Sequence, residues 1–210
     1  MKHLLEAVVI LGVSASLAGC GGAGVSADAQ EAPADPNFEA GQAMADPHEA
    51  GTHDADHALP DLPGGADLSG DFIGTDGQTN GAVMIAETPG GLLMRVDVTG
   101  IAHGFHGVHI HETGLCEPAE GFKTAGGHAN PTSKEHGFLV AGGPHIGDFP
   151  NAYAHDEGHL RTDVFGAGTA LSDIQDSDGF AVMIHSGADD YESQPSGDAG
   201  SRVACAAFPG

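Results

Sequence analysis

Three histidines lie close together in one short segment, HGVHIHETGLC, which runs from His106 to Cys116. Successive side chains of an extended strand point to opposite faces, so His109 and His111 share one face. Two neighbouring imidazoles can bind a transition metal when other side chains complete the ligand set. The segment therefore predicts half of a metal site, whose remaining donors must come from elsewhere in the chain.

A second group of donors lies in TAGGHANPTSKEHGFLVAGGPHIGDF, which holds His128, His136, His145 and Asp148 at separations of 8, 9 and 3 residues. Three imidazoles and one carboxylate make a tetrahedral set for which zinc is the default ion. His185 is available to join the first pair, and a field of four imidazoles favours copper. Six histidines at these spacings, with a carboxylate three residues after His145, favour metal binding.

The segments that must position these side chains have the periodicity of β-strands. In GLLMRVDVTG the residues Leu92, Met94, Val96 and Val98 alternate with more polar ones, which predicts a half-buried strand. GAVMIAE before it and FAVMIHS near the C-terminus are further strand candidates, and ETPGG is a turn signal between the first two. No helical period of useful length is present, so we predict an all-β antiparallel domain.

Six motifs resemble those of the bacterial exported type of copper-zinc superoxide dismutase over about residues 67–208: HGVHIHE, GGHANP, SKEHGF, PHIGD, MIHSGADD and AGSRVAC. The resemblance implies copper ligands His109, His111, His128 and His185. It implies zinc ligands His128, His136, His145 and Asp148. No ligand position of the family is missing from this sequence.

The resemblance also implies a fold and a reaction. The fold is a flattened eight-stranded antiparallel Greek-key β-barrel with long metal-binding and channel loops, occurring as a monomer or homodimer. The reaction converts superoxide to oxygen and hydrogen peroxide, with one copper and one zinc per chain. Arg202 would guide the anion, and His128 would bridge the metals. Asp189 would hydrogen-bond His109 and His136, and His106 would pack beneath the copper site.

The N-terminus predicts export. MKHLLEAVVILGVSASLAGC has a short charged start, an apolar run and small residues before a cysteine, which is typical of a secretory signal over residues 1–19. LAGC resembles a bacterial lipobox, in which Cys20 becomes the lipidated first residue of the mature chain. A plain signal cleaved nearby and a buried apolar helix are the alternatives. We expect the periplasm or cell envelope, with the protein lipid-anchored to a membrane surface.

Two further cysteines remain once Cys20 is set aside. In an exported compartment, Cys116 and Cys205 are expected to form a disulfide, and two buried free thiols are the alternative.

Residues 20–66 have the composition of an acidic, disordered tether. Between Gly21 and Ala66 there are nine Asp or Glu and no Lys or Arg. His48, His53 and His57 lie among these carboxylates, either as part of a solvated linker or as a weak metal-collecting arm. The folded domain is expected over residues 67–210. A formal charge of −24 makes nucleic acid and anionic lipid headgroups poor partners.

Two other classes of function compete with an enzyme. The first is a non-catalytic lipoprotein that sequesters copper and zinc on the same scaffold. The second is a structural β-sandwich adhesin in which the histidines are bystanders, and it predicts no spacing relation among the six histidines and Asp148. Superoxide is the substrate expected of the enzyme, and fold alone does not decide among the three classes.

Overall fold

The computed structural model describes residues 61–210, which are organised around eight β-strands with only short helices between them. The strands are β1 (Leu68–Gly74), β2 (Thr79–Thr88), β3 (Gly91–Thr99), β4 (Gly104–His111), β5 (Asp148–Ala154), β6 (His159–Ala167), β7 (Phe180–His185) and β8 (Arg202–Phe208). The helix α1 (Leu171–Ile174) and two 3-10 turns, Pro118–Glu120 and Lys123–Ala125, lie in the connections. Within residues 61–210 no helix is long and apolar enough to cross a membrane.

The strands close into one antiparallel barrel in the order β1-β2-β3-β6-β5-β4-β7-β8. β4, β5 and β6 are consecutive in the chain and neighbours in the barrel. β3, which precedes them in the chain, lies beside β6, and the four strands form a Greek key. Closure leaves none of these eight strands with an unpaired edge. The predicted eight-stranded antiparallel barrel is confirmed.

The alternation in β3 explains how the barrel wall forms. Leu92, Met94, Val96 and Val98 are fully buried in the core, whereas the residues between them are half-buried on the outer face. β2 pairs with β3 from Gly81↔Val98 to Thr88↔Gly91, so the predicted partner strand and turn are both present. Burial of each such apolar side chain stabilises the fold by roughly 1.5–3 kcal/mol.

β4 and β7 are the strands that carry the candidate site. They are direct neighbours in the barrel, and all six residues of β7 are buried. Val108 and Ile110 of β4 belong to the main hydrophobic core, whereas His109 and His111 alternate with them and point away from it. Those two histidines are nevertheless buried, because two long connections, residues 112–147 and residues 186–201, lie over them.

A disulfide between Cys116 and Cys205 joins the first of these connections to β8, as predicted. The two Cα atoms are 5.8 Å apart, which is within the normal range for a disulfide. Cys205 is fully buried in a small cluster with Phe122, Ala125 and Met183. The covalent bond and this cluster together attach residues 116–125 to the barrel.

Packing against the barrel begins before the predicted domain boundary at Asp67. Leu62 is only 2% exposed, and the Asp61 carbonyl accepts a hydrogen bond from Arg95 Nη1 at 3.3 Å. The predicted signal segment, the lipidation site Cys20 and the histidines His48, His53 and His57 lie outside the described residues.

Candidate metal centre

Four histidines from different parts of the chain meet on the outer face of β4. His109 and His111 come from β4, and His185 is the last residue of the adjacent β7. His128 arrives from the following connection and forms an isolated β-bridge with His111. One ring nitrogen from each of the four lies within 4.8 Å of the others. The sequence predicted this grouping, and the β4–β7 pairing is what produces it.

The hydrogen bonds of these four rings leave one nitrogen free on each. His109 Nε2 donates to Asp189 Oδ2 at 2.7 Å, and His128 Nδ1 donates to Asp148 Oδ1 at 2.8 Å. His111 Nδ1 donates to a backbone carbonyl at 3.0 Å, and the same nitrogen of His185 lies 3.4 Å from another. The remaining nitrogens have no partner although they are buried: His109 Nδ1, His111 Nε2, His128 Nε2 and His185 Nε2.

This pattern fits a bound metal ion. A neutral imidazole has one N–H and one lone pair, so donating the N–H outward leaves four lone pairs directed toward a common point. Buried, unsatisfied acceptors are unfavourable unless a cation occupies that point. Burial also lowers the pKa of His111 well below its usual value, and those of His128 and His185 to about 4 and about 3. His111, His128 and His185 are therefore neutral at neutral pH, as metal ligation requires.

A second group lies on the other side of His128. His128 Nδ1, His136 Nδ1 and His145 Nδ1 are 2.8, 3.1 and 3.2 Å from the same atom, Asp148 Oδ1. The backbone N–H groups of Gly137 and His145 donate to Asp148 Oδ2, which fixes the carboxylate. Three imidazole nitrogens and one carboxylate oxygen are a ligand set for zinc.

Electrostatics in this second group also suit a cation. Burial opposes the negative charge of Asp148, but hydrogen bonds from His128, His136 and the Gly137 N–H hold the pKa of Asp148 well below its usual range. His136 faces a carboxylate oxygen with each of its two nitrogens, since Nε2 lies 3.1 Å from Asp189 Oδ1. Without a metal, a ring protonated on both nitrogens donates to both carboxylates, and a metal ion at Nδ1 would take the place of that proton.

Asp189 connects the two groups from outside. Its Oδ2 accepts from His109 Nε2 and its Oδ1 accepts from His136 Nε2, the two rings that the resemblance assigns to it. Burial opposes its charge, but these two bonds hold the pKa of Asp189 well below its usual range. A carboxylate in this position fixes the tautomer and the orientation of both rings.

Arg202 lies next to the four-histidine group because it pairs with His185 across β7 and β8. Its guanidinium donates to the carbonyls of Phe122 at 2.5 Å and of Gly126 at 2.6 Å. Its positive charge adds to burial in lowering the pKa of both His111 and His185. The side chain is half-buried and stays charged at any working pH.

Comparison with known proteins identifies the family that has this arrangement. A family model described as copper/zinc superoxide dismutase matches residues 79–208, which is more than half of the chain. The chain belongs to the copper/zinc superoxide dismutase family.

Three similar proteins from bacteria show how much of the chain is matched. A copper-zinc superoxide dismutase of Aquifex aeolicus is 40% identical over 141 residues, covering 64% of this chain and 82% of the relative. One from Caulobacter vibrioides is 36% identical over 138 residues, covering 62% and 78%. The crystal structure of a superoxide dismutase-like protein from Bacillus subtilis matches with a TM-score of 0.63 at 35% identity, over 66% of this chain and 96% of that one.

In this member of the superoxide dismutase family, the metal-free protein is expected to lose stability as the pH becomes alkaline. Burial lowers the pKa of His136, but hydrogen bonds to Asp148 and Asp189 outweigh that effect and raise it from 6.5 to about 9. A raised histidine pKa stabilises the fold fully below 6.5, and this stabilisation is lost as pH rises through 9. We expect the metal-free protein to lose on the order of 3 kcal/mol of unfolding free energy over that interval.

Urea titrations of the demetallated protein at a series of pH values measure this loss. The variant His136→Gln has no titrating ring at this position and should lack the alkaline decline. An equal decline in the variant would assign it to other groups.

The two connections of the superoxide dismutase site are held together by side chains that the sequence did not predict. Asn151 of β5 and Gln194 of the second connection each hydrogen-bond the backbone of a site residue, and the Asn151 N–H donates to Tyr191 Oη at 2.7 Å. No sequence signal marks them, because amides and tyrosines are common in loops and their partners are distant in the chain.

Gly197 is the other residue that only the structure identifies. Its φ of +68° favours glycine, and an added Cβ would clash with Asp189 Oδ1 and lie 2.6 Å from His136 Nε2. We expect Gly197→Ala to separate Asp189 from His136 and to weaken zinc retention roughly tenfold. Zinc content after dialysis against a weak chelator measures this.

The matched control for that substitution is Gly187→Ala, in the same connection. An added Cβ there has only an ordinary contact, 3.5 Å from the Ala199 carbonyl. Equal zinc loss in both variants would show that the loop, and not the Asp189–His136 contact, is responsible.

Two further histidines of the described chain, His103 and His106, have other surroundings. His106 is buried, with Nδ1 2.8 Å from the His185 carbonyl and Nε2 2.7 Å from the Ala102 carbonyl, so it packs against the strand end that carries His185. His103 is exposed and contacts Tyr153 Oη and Asp156. Neither ring belongs to a group that could hold a metal ion.

Proposed function

We propose that this chain is an exported superoxide dismutase that converts two superoxide ions and two protons to oxygen and hydrogen peroxide. The observation that carries the proposal is the set of four buried, unpartnered imidazole nitrogens beside Arg202. Family membership supports the proposal, since relatives 36–40% identical to this chain are named copper-zinc superoxide dismutases. Neutral imidazoles around a copper ion, next to a fixed cation, suit a small anionic redox substrate.

In the proposed site, His109, His111, His128 and His185 hold copper, and His128, His136, His145 and Asp148 hold zinc. Copper supplies the one-electron chemistry when bound, whereas zinc has no redox chemistry and organises the donors. His128 is proposed as the bridge between the metals, because its Nδ1 faces Asp148 while its Nε2 lies among the four free nitrogens.

Protein side chains would bind the substrate and deliver a proton. Arg202 presents a guanidinium with two donors held by the carbonyls of Phe122 and Gly126, which leaves its charge fixed near the copper ligands. This charge would bind superoxide and orient it. His128 Nε2 is the atom at which the bridging ring would take up a proton, while Nδ1 stays directed at Asp148. Asp189 keeps His109 and His136 oriented throughout.

The test is superoxide consumption by the full chain after copper and zinc loading, with metals counted per chain. We expect turnover per copper far above that of free copper ions. Replacement of Arg202 by leucine should lower the rate about tenfold or more at unchanged metal content, because a transition-state charge contact is lost. Stoichiometric binding of both metals with turnover no better than free copper would favour the sequestering function.

One relative bears on whether every family member is an enzyme. The relative from Bacillus subtilis that is 36% identical over 146 residues carries a superoxide dismutase-like name only. A solved double variant of such a protein has histidines in place of a tyrosine and a proline. Family membership alone therefore does not establish turnover, and the activity of this chain has to be measured.

Export and lipid anchoring are proposed from the N-terminal sequence and the Cys116–Cys205 disulfide, which forms and persists in oxidising compartments. Residues 1–19 would be removed, Cys20 would carry the lipid, and the acidic segment that follows would connect it to the barrel. The variant Cys20→Ala should move the protein from the membrane fraction to the soluble fraction. Unchanged membrane association would refute the anchor.

We further propose His48, His53 and His57 as a weak metal-collecting arm of the exported protein. Neutral imidazoles among carboxylates are suitable ligands for copper and zinc ions. Copper titration of the chain with all three replaced by asparagine should show fewer weak sites than the natural sequence.

A further inference from the structure

Two side-chain amides hold the backbones of His136 and Asp189 in place. Gln194 Oε1 accepts from the His136 N–H at 2.8 Å, and Gln194 Nε2 donates to the His136 carbonyl at 2.8 Å. Asn151 does the same for Asp189, accepting from its N–H at 2.8 Å and donating to its carbonyl at 2.8 Å. Each amide therefore satisfies both backbone groups of one site residue.

These two residues are also the ends of a single buried contact, the hydrogen bond between His136 Nε2 and Asp189 Oδ1 at 3.1 Å. Gln194 belongs to the same connection as Asp189 but is 58 residues from His136 in sequence. The Gln194 amide therefore joins the connection that carries Asp189 to the connection that carries His136. Asn151 fixes the other end from β5.

The surroundings of Gln194 show why its amide matters. Residues 192–195 are exposed, so apolar packing does little to hold this part of the connection. His136 is fully buried, and its N–H and carbonyl would lose these protein partners if the amide were absent. Unsatisfied buried backbone groups destabilise the local structure that contains them.

We infer that Gln194 is a positioning residue for zinc retention. It holds His136 in register with Asp189, so that His136 Nδ1 remains directed at the point where Asp148 and the other two rings converge. This role rests on the zinc ligands assigned under the proposed function. It concerns the release of the ion, not the dismutation step.

The experiment measures zinc release from the fully loaded full chain to a coloured chelator, and the absorption spectrum of the chain with cobalt in the zinc site. Gln194→Met removes both hydrogen-bonding groups at similar length, and we expect about tenfold faster zinc release and a shifted cobalt spectrum. Gln194→Glu keeps an acceptor for the His136 N–H but loses the donor to the His136 carbonyl, and should release zinc at an intermediate rate. The exposed Gln175→Met is the matched control and should behave as the natural sequence.

Several outcomes would overturn the inference. Zinc release within twofold of the natural sequence, together with an unchanged cobalt spectrum, would exclude a role for Gln194. Faster release with an unchanged spectrum and a correspondingly lower unfolding midpoint would assign the residue to general stability. If Gln194→Met does not fold, Gln194→Glu decides by the same two measurements. A natural chain that retains no zinc would overturn both this inference and the zinc assignment, whereas absent turnover with slow zinc release would leave this inference intact.

Discussion

Replacement of His111 by alanine is expected to reduce superoxide consumption by about 100-fold or more, since loss of a direct ligand should exceed the 10–100-fold effect of losing an outer hydrogen-bond partner. His111 contributes one of the four buried free nitrogens, and its other nitrogen is bonded to the Gly126 carbonyl. It does not belong to the group around Asp148. The variant should therefore keep its zinc while losing copper affinity and turnover together, which pulse radiolysis with metal counting would measure.

The matched control for this prediction is His103→Ala. His103 lies close to the same strand but is exposed and outside both metal groups. It should have natural activity and natural metal content. Full activity in His111→Ala would contradict the copper assignment, whereas loss of zinc as well as copper would indicate that the centre behaves as one unit.

Loss of the disulfide is expected to have the largest effect on stability. Cys116 and Cys205 are 89 residues apart, and the chain-entropy model gives roughly 4–5 kcal/mol for a loop of this length. Cys116→Ser should lower the unfolding free energy of the oxidised protein by about that amount, as measured by urea titration.

Reducing agent provides the control for the disulfide. It should shift the unfolding midpoint of the natural chain to that of Cys116→Ser and leave the variant unchanged. We also expect lower turnover, because the connection tied down by Cys116 supplies the Phe122 and Gly126 carbonyls that hold Arg202. An unchanged midpoint after verified reduction would contradict this account.

Short-range patterns in the sequence predicted the strands and the histidine groups. The alternation in β3 follows directly from one-sided burial, and His109 and His111 share a face because a strand has a period of two. The ligands in the connection before β5 were recognised from their spacing and from resemblance to the family. The disulfide followed from the number of cysteines and the expected compartment.

Long-range contacts of ordinary residues were not predictable in the same way. Gln194 reaches His136 across 58 residues of chain, and neither residue type nor spacing distinguishes it from other exposed amides. Gly197 lies against Asp189 only because the second connection folds back over the site. The burial of Leu62 was also not predicted, because one buried leucine in an acidic, proline-containing segment gives no periodic signal.

The carbonyl of Gly126 accepts hydrogen bonds from both His111 Nδ1 and Arg202 Nη2. One peptide group thus sets the orientation of a proposed copper ligand and of the proposed substrate-binding cation. A sequence change that moves this peptide would alter metal affinity and anion affinity together. Natural variation in residues 122–126 should therefore change metal affinity and anion affinity together. A change in substrate capture alone would have to come from charges farther from the site.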